Sequence, residues 1–330
     1  MTRAVTFSRA GEPAEILEVR TVEAPPEPGW GHIQVRVRAF AIHPGDLLAV
    51  AMTTDVGLTQ RVGVEAAGTI TEIGPGVAGL TIGQRVAFFP NPGSWAETVN
   101  VPAELAVVVP EGISDEVAAQ LVCNPITVLL LRRAAEEHPA VGYDGVVVNN
   151  AASSSVGRLF TTHAQDHGID TVSVVRSAER ADELSALFPD VPVFSTGVND
   201  WRDRLTAVAG ARPVAVVLDP VGGRVGTELF GLLAPGGTLI SYGQLEPDPF
   251  VLHPLDLVQG SRGLRGMTVF RWSTGASAAQ RASDIAAALA MVSTYPQVLA
   301  PAAVYGLDDI ECAVRHASRP GKIGTVVVTI

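Results

Sequence analysis

Residues 146–159, VVVNNAASSSVGRL, have the composition of a phosphate-binding turn between a strand and a helix. The apolar run Val146–Val148 is typical of a buried parallel strand. The small residues Ala151–Ser155 let a ligand approach the backbone closely, and Gly157 allows the helix to pack tightly on the strand. The first N–H groups of such a helix attract a phosphate. The alternative is an ordinary strand-to-helix turn, because alanine and serine stand where two glycines are usual.

A second predicted strand, TVSVV, ends at Arg176, nineteen residues after Gly157. In dinucleotide-binding folds, the residue about 20 positions after the glycine-rich turn contacts the adenosine ribose. A carboxylate there accepts hydrogen bonds from the 2′-hydroxyl of NAD, whereas a guanidinium pairs with a 2′-phosphate. With Arg180 one turn later, the pattern favours NADPH over NADH. The alternative is that both arginines only solvate the start of a helix.

Composition narrows the class of protein. A length of 330 residues predicts about two domains. The formal net charge of −11 argues against binding to nucleic acid, which needs clustered cations. The amino terminus lacks the apolar core of a signal peptide, and no run reaches the ~18 apolar residues of a membrane helix, so we expect a cytoplasmic protein without membrane contact. Cys123 and Cys312 are too few for a disulfide framework or a four-cysteine zinc lobe.

The texture of the sequence changes twice along the chain. Residues 1–120 contain short alternating segments such as IQVRVRAFAIH, separated by Pro and Gly, and predict a β-rich domain. Residues 121–270 alternate strands with helical patterns, which predicts an α/β fold with a doubly wound parallel sheet. In residues 271–330 we expect a helix over 278–294 and a closing strand, TVVVTI, that completes the first domain.

The order of these segments resembles the medium-chain dehydrogenase/reductase superfamily, and specifically its zinc-free quinone reductase and enoyl thioester reductase branches. The matching segments are IHPGDLL, VGVEAAGTITEIGPGVAGLTIGQRVA, CNPITVLLLRRA, NNAASSSVGR, VVRSAERADEL, LDPVGGRVG, LISYG and PGKIGTVVV. The resemblance implies a GroES-like catalytic domain over 1–120, completed by 271–330, and a Rossmann-type dinucleotide-binding domain over 121–270. It also implies an oligomer, with a homodimer expected and a tetramer as the alternative, that pairs the edge strand of the nucleotide domain, here GLRGMTVFRW at 263–272.

The resemblance also implies contacts with NADPH, residue by residue. The pyrophosphate is expected to lie on the turn formed by Ala152, Ser153, Ser154, Ser155, Val156 and Gly157, and the 2′-phosphate on Arg176 and Arg180. Tyr242 and Gly243 are expected on the adenosine side, with Val221 in the segment that closes the crevice. The nicotinamide end is assigned Asn124, Thr127, Phe270 and Trp272. Lys322 either reaches the cofactor or is an ordinary surface lysine.

Two departures from the family bear on the chemistry. Zinc enzymes of the superfamily have a histidine where this chain has Val64, and no cysteine is expected near His43, so no catalytic metal is expected. Enoyl thioester reductases carry a tyrosine about ten residues after the proline of IHPGDLL, where this chain has Thr54. A threonine hydroxyl donates a hydrogen bond but is a poor proton donor. His43 is a second candidate, either for proton transfer or as a structural histidine.

These residues favour a reductase that transfers hydride from NADPH to the β-carbon of an activated C=C bond, in a 2-enoyl thioester or an enone. Its catalytic candidates are His43, Thr54 and Asn124. A quinone is the alternative acceptor. A hypothesis from another class is an NADPH-binding protein with little catalysis, which the missing tyrosine and the serine-filled turn would suit. In each case the partner is a small molecule.

Overall fold

The structure is a computed structural model that describes residues 1–54, 57, 59–210 and 212–330. The chain divides into two compact units, one formed by Met1–Ile126 with Phe270–Ile330 and the other by Thr127–Val269. The first division, between Ile126 and Thr127, falls inside the helix Cys123–Glu136. The apolar run after Pro125 continues this helix without a break. The sequence suggested domain boundaries at 120/121 and 270/271, close to these divisions.

The elements are numbered here in chain order. The amino-terminal part contains β1 (Thr2–Phe7), α1 (Pro13–Ile16), β2 (Glu18–Val22), β3 (His32–Ile42), α2 (Pro44–Met52), β4 (Gln60–Arg61), β5 (Ala66–Ile73), β6 (Arg85–Phe88), β7 (Thr98–Pro102), β8 (Ala106–Val108), α3 (Asp115–Ala118) and α4 (Cys123–Glu136). The central part contains β9 (Val146–Asn150), α5 (Ser155–Asp166), β10 (Thr171–Val175), α6 (Ala178–Leu187), β11 (Val193–Ser195), α7 (Trp201–Ala209), β12 (Val214–Asp219), α8 (Gly223–Gly231), β13 (Thr238–Ser241), α9 (Pro254–Val258) and β14 (Gly263–Gly266). The carboxyl-terminal part contains α10 (Val269–Gly275), α11 (Ala278–Thr294), β15 (Ala303–Gly306), α12 (Ile310–Ala317) and β16 (Val326–Thr329). None of the described helices combines the length and apolar content that crossing a bilayer requires.

The first unit is built on the long strand β3. In the described part of this unit, a seven-stranded sheet has the order β15-β16-β3-β5-β6-β8, and β7 also pairs with β3. Strand β16 lies antiparallel beside β3, with Val328 opposite Phe40, so the end of the chain completes the sheet. The closing strand predicted at TVVVTI is β16, and the helix predicted over 278–294 is α11.

The core of the first unit is centred on Trp95. Its indole is fully buried and stacks on Phe40, with ring centroids 5.0 Å apart. Gly63 lies against this indole with a left-handed φ of 91°, and an added Cβ would come within 2.0 Å of Trp95 Cδ1. Only glycine fits both the conformation and the space. Since Gly63 stands two residues before Glu65, this packing fixes the backbone that carries the Glu65 carboxylate.

The second unit contains the parallel sheet. Within its described residues, six strands pair in the order β11-β10-β9-β12-β13-β14, and every pairing is parallel. All residues of β9, β10 and β12 are buried, which explains why these strands read as apolar runs rather than alternating ones. The strand order reverses between β9 and β12, and such a switch point leaves a crevice at the carboxyl ends of the strands. The α/β fold class predicted from the sequence is therefore confirmed.

The edge segment 263–272 differs from the prediction. It was expected to be one strand, but β14 ends at Gly266 and helix α10 begins at Val269. Val269 and Trp272 are three residues apart and both are buried, which is the spacing of one helix face. The Trp272 indole N–H also donates to Asp284 Oδ2 at 2.8 Å. This contact with α11 favours the helix over the extended conformation that the β-rich composition suggested.

We expect Gly63→Ala to lower the free energy of unfolding by roughly 2–4 kcal/mol, because the new methyl group meets a packed indole and the backbone has a positive φ. Gly79→Ala is the matched control: Gly79 also has a positive φ, 77°, but has open space around its Cβ position. This control is expected to cost about 1 kcal/mol. Urea unfolding of both variants measures the difference. Equal losses in the free energy of unfolding would show that the contact with Trp95 does not add to the cost of Gly63→Ala.

Candidate active site

The turn between β9 and α5 is held by two side-chain hydrogen bonds. Ala151 has φ 52°, a left-handed conformation that residues other than glycine rarely adopt. Its N–H donates to Asn150 Oδ1 at 2.9 Å. Ser154 caps the helix by accepting the N–H of Gly157 at 3.0 Å. The turn thereby presents the first turn of α5 at the carboxyl edge of the sheet, where helix N–H groups suit a phosphate.

Gly157 is required by the packing of this turn. A Cβ at this position would lie 2.6 Å from the carbonyl oxygen of Ala151 and 2.7 Å from Cα of Ala152. Both neighbours are backbone atoms, which cannot rotate away. The helix therefore approaches the turn more closely than any residue with a side chain would allow, as the sequence pattern suggested.

Asn150 and Asp219 connect the ends of β9 and β12. Asn150 Nδ2 donates to Asp219 Oδ1 at 2.8 Å, and both side chains are buried. The N–H of Val221 donates to the same carboxylate oxygen at 2.9 Å, and the N–H of Gly222 donates to Oδ2 at 3.1 Å. One network thus fixes the turn before α5 and the turn before α8. Sequence reasoning missed Asn150, although an amide directly before a small-residue turn was a visible signal.

Arg176 and Arg180 both lie at the carboxyl end of β10, and each has a carboxylate partner. Arg176 Nη2 donates to Glu246 Oε1 at 2.8 Å, with 53% of the arginine side chain exposed. Arg180 pairs with Glu183 one turn along α6. Ser177 caps α6 by accepting the N–H of Arg180 at 3.3 Å. Sequence reasoning missed Glu246, since seventy positions separate it from Arg176.

Val221, Tyr242 and Gly243 lie at the ends of β12 and β13. The backbone N–H of Tyr242 donates to the carbonyl of Asp219 at 3.0 Å. The Tyr242 hydroxyl is buried and has no hydrogen-bond partner among the described residues. Burial, and secondarily the charge of Asp219, raise the pKa of this phenol well above its usual value, so it stays protonated. Gly243 packs on Pro220, where a Cβ would lie 3.0 Å from the proline carbonyl oxygen.

In the first unit, His43 forms a buried pair with Glu65. His43 Nε2 and Glu65 Oε2 are 2.6 Å apart, and Glu65 has no exposed surface. The other oxygen, Oε1, accepts the N–H groups of Val122 at 2.8 Å and Cys123 at 2.9 Å. Glu65 therefore binds the start of α4, where a negative charge complements the helix dipole.

The protonation states follow from this burial. Desolvation lowers the pKa of His43, but the hydrogen bond and charge of Glu65 raise it more, so the net shift is upward from 6.5. Asp46 Oδ2 accepts the N–H of His43 at 3.0 Å. Burial raises the pKa of Asp46 to about 6, against the attraction of His43. The contact with Glu65 therefore favours the protonated form of His43.

The expectation that no cysteine lies near His43 is wrong in three dimensions. The ligand atoms of His43, Glu65 and Cys123 all lie within 4.8 Å of one another, because the start of α4 is bound to Glu65. These three residues do not fit a metal centre. Both Glu65 oxygens already accept hydrogen bonds, and His43 Nε2 is bonded directly to one of them. Burial, followed by the charges of Glu65 and Asp46, raises the pKa of the Cys123 thiol, which disfavours the thiolate that a metal requires.

The remaining predicted residues have varied surroundings. Asn124 is buried, and its amide lies 3.5 Å from Gln120 Oε1. Phe270 is 47% exposed and packs on Phe89, whereas Trp272 is buried and bonded to Asp284. Thr127 is buried, and Lys322 is partly buried, with a pKa that burial lowers. Thr54 is exposed after α2, and its neighbours 55, 56 and 58 lie outside the described residues.

The structure thus assembles two groups of predicted residues. Ala152–Gly157, Arg176, Val221 and Tyr242 lie at the carboxyl ends of neighbouring parallel strands. His43 is brought to the start of α4, the helix that carries Asn124. Thr54 and Lys322 are not joined to either group by a described contact.

Comparisons with known proteins agree with this architecture. Residues 29–111 match the alcohol dehydrogenase GroES-like domain. A mycobacterial protein solved in complex with NADPH has a TM-score of 0.88 at 24% identity, and each chain is covered fully. Quinone oxidoreductase from Escherichia coli, also solved with NADPH, has a TM-score of 0.86 at 22% identity over 99% of this chain and 100% of that chain.

Two curated relatives extend the match. A mitochondrial enoyl-[acyl-carrier-protein] reductase from Bos taurus is 26% identical over 337 aligned positions, covering 99% of this chain and 88% of the relative. Quinone oxidoreductase from Salmonella typhimurium is 30% identical over 250 positions, covering 74% of this chain and 73% of the relative. Together with a valine, Val64, in place of the zinc-binding histidine, these matches identify the branch. The chain belongs to the zinc-free branch of the medium-chain dehydrogenase/reductase superfamily.

Proposed function

We propose that the protein is an NADPH-dependent oxidoreductase that transfers hydride to the activated C=C bond of a 2-enoyl thioester or an enone. A quinone is the second candidate acceptor, and it is favoured by the similarity to quinone oxidoreductases. One observation supports the cofactor most directly: the Ser154-capped start of α5 and the Arg176 guanidinium lie at the ends of adjacent strands.

The register of β9 and β10 supports this position for the cofactor. Val174 lies opposite Asn150, and the N–H of Ala152 donates to the carbonyl of Val174 at 3.1 Å. Arg176 therefore follows the strand end beside the turn before α5. A pyrophosphate on the first turn of α5 leaves the adenosine ribose near Arg176 and Arg180, where a 2′-phosphate meets guanidinium donors.

We assign the remaining contacts by the same geometry. Val221, Tyr242 and Gly243 line the adenosine side, since they lie at the ends of β12 and β13. Asn124, Thr127, Phe270, Trp272 and Lys322 stay proposed contacts of the nicotinamide end, on the family pattern alone. Trp272 then acts mainly through its position, because its indole N–H is already bonded to Asp284.

Bound NADPH supplies the hydride, and the chain must stabilise the charge that moves to the carbonyl oxygen of the acceptor. The Thr54 hydroxyl can donate a hydrogen bond to this oxygen, but water is the better source of the proton. His43 acts through Glu65, because its Nε2 is bound to that carboxylate. It is therefore a positioning residue for α4 and Asn124. We propose no metal for this chemistry.

We further propose that the protein forms a homodimer through the free edge of the parallel sheet. Strand β14 ends this sheet, and Leu264 on it is 46% exposed. Val258 of the preceding helix is 71% exposed. An edge strand with apolar neighbours can pair with its copy. Light scattering of wild type and Leu264→Glu tests this, and a wild-type monomer would contradict it.

A cytoplasmic location stays a prediction that cell fractionation tests.

We expect wild type to oxidise NADPH with at least one acceptor among crotonyl thioesters, simple enones and naphthoquinone. Arg176→Ala is expected to raise the Kd for NADPH roughly 10- to 100-fold, because a charged hydrogen bond is worth about 1.5–3 kcal/mol. The Kd for NADH is expected to change little. Fluorescence titration and initial rates measure both.

Arg212→Ala is the matched control for this experiment. Arg212 pairs with Asp170 at the same 2.8 Å distance. These two residues precede β12 and β10, so they lie at the amino ends of the strands, away from the proposed cofactor site. An unchanged NADPH preference in Arg176→Ala would disprove the cofactor assignment. Tight NADPH binding without oxidation by any acceptor would favour the non-catalytic hypothesis. Activity lost on dialysis against a chelator and restored by a divalent metal would disprove the metal-free mechanism.

We expect His43 to make stability depend on pH above 6.5. Its folded pKa is raised, so its contribution to the free energy of unfolding is complete below pH 6.5 and is lost as pH rises through the folded value. Asp46, also raised, gives the same sign in a lower window, from about pH 4 to its folded value of about 6. Urea unfolding across pH 4–9 measures the free energy of unfolding. His43→Gln should weaken its dependence on pH above 6.5, and Asp46→Asn should weaken it between about pH 4 and 6. A His43→Gln profile parallel to that of wild type would contradict the pairing.

A further inference from the structure

The carboxylate of Glu246 is bound to the Arg176 guanidinium at the carboxyl end of β10. Its Oε1 lies 2.8 Å from Arg176 Nη2, and the two side chains come from loops at the ends of β13 and β10. Arg180 is paired with Glu183 in the same way. Each guanidinium at this strand end therefore already has an anionic partner.

The backbone of the loop that carries Glu246 is held in place by hydrogen bonds. The N–H of Glu246 donates to the carbonyl of Val221 at 3.0 Å, and the N–H of Leu245 donates to the same oxygen at 3.1 Å. Gly223 lies so close that an added Cβ would be 3.0 Å from Glu246 Cβ. Because Val221 is itself bonded to Asp219, the loop that carries Glu246 is tied to the rigid network at the centre of the sheet.

Charge decides what this arrangement does to a ligand. A ribose 2′-phosphate that pairs with Arg176 must enter within a few ångströms of the Glu246 carboxylate, and like charges repel at that distance. A ribose 2′-hydroxyl meets no such repulsion, and it can donate a hydrogen bond to the same carboxylate. Glu246 therefore favours NADH, which lacks the 2′-phosphate, and Arg176 favours NADPH, which carries it.

We propose that Glu246 is a specificity-determining residue that lowers the preference for NADPH and lets the protein also use NADH. This inference rests on the proposed function. The side chain is 35% exposed, so the carboxylate can turn away toward solvent when a phosphate takes its place on Arg176. That displacement reduces the affinity for NADPH without preventing its binding.

The test compares the Kd values for NADPH and NADH in wild type and Glu246→Gln, measured by fluorescence titration at two salt concentrations. The glutamine keeps the size and one hydrogen-bonding oxygen but removes the charge. We expect the Kd for NADPH to fall about tenfold, which corresponds to about 1.4 kcal/mol, and more at low salt. We expect the Kd for NADH to stay constant or rise slightly. Asp170→Asn, at the amino end of β10, is the control that should change neither Kd.

Several results would overturn the inference. A ratio of Kd values unchanged in Glu246→Gln, with NADPH still weakened in Arg176→Ala, would reject the role of Glu246 and leave the proposed function intact. A weaker Kd for NADPH in Glu246→Gln would mean that Glu246 orients Arg176 instead of competing for it. Absence of NADPH binding in wild type would reject the proposed function itself.

Discussion

A buried hydrogen bond between the side chains of Asn150 and Asp219 joins the two central strands of the parallel sheet where both end. A buried carboxylate is costly unless its oxygens are satisfied, and the other donors to Asp219 are the N–H groups of Val221 and Gly222. The turn before α5 and the turn before α8 are consequently held at a fixed separation. Under the proposed function, the dinucleotide spans the strand ends that this network holds.

The first unit uses the same physical device at a different place. Glu65 is also fully buried, and it also accepts two backbone N–H groups at the start of a helix, here α4. The positive end of the helix dipole complements its charge, and its hydrogen bond favours the protonated form of His43. In each unit, therefore, one internal carboxylate ties a helix start to a strand end or loop. The turn before α5 and Asn124, both proposed to contact the cofactor, lie directly beside these two carboxylate networks.

Much of the architecture could be predicted because it depends on local rules. Strands β9, β10 and β12 follow from continuous apolar runs, and helix α11 follows from a helical pattern. Arg176 follows from counting along a strand-turn-helix pattern. The prediction of an edge strand holds for Gly263–Gly266 but is wrong from Val269, where the hydrogen bond between Trp272 and Asp284 favours a helix. No local pattern encodes that contact, which joins two helices.

Local patterns in the sequence specify the order of elements, the parallel sheet, the tight turn at Gly157 and the positive charge at the carboxyl end of β10. These depend on backbone conformation and on burial repeated at a fixed period, which neighbouring residues specify. Three features emerge only in the folded chain: Cys123 lies beside His43, Asp219 holds the turn of Asn150, and Glu246 pairs with Arg176. Side chains from distant parts of the chain meet there, and their pairing depends on where the folded backbone brings them.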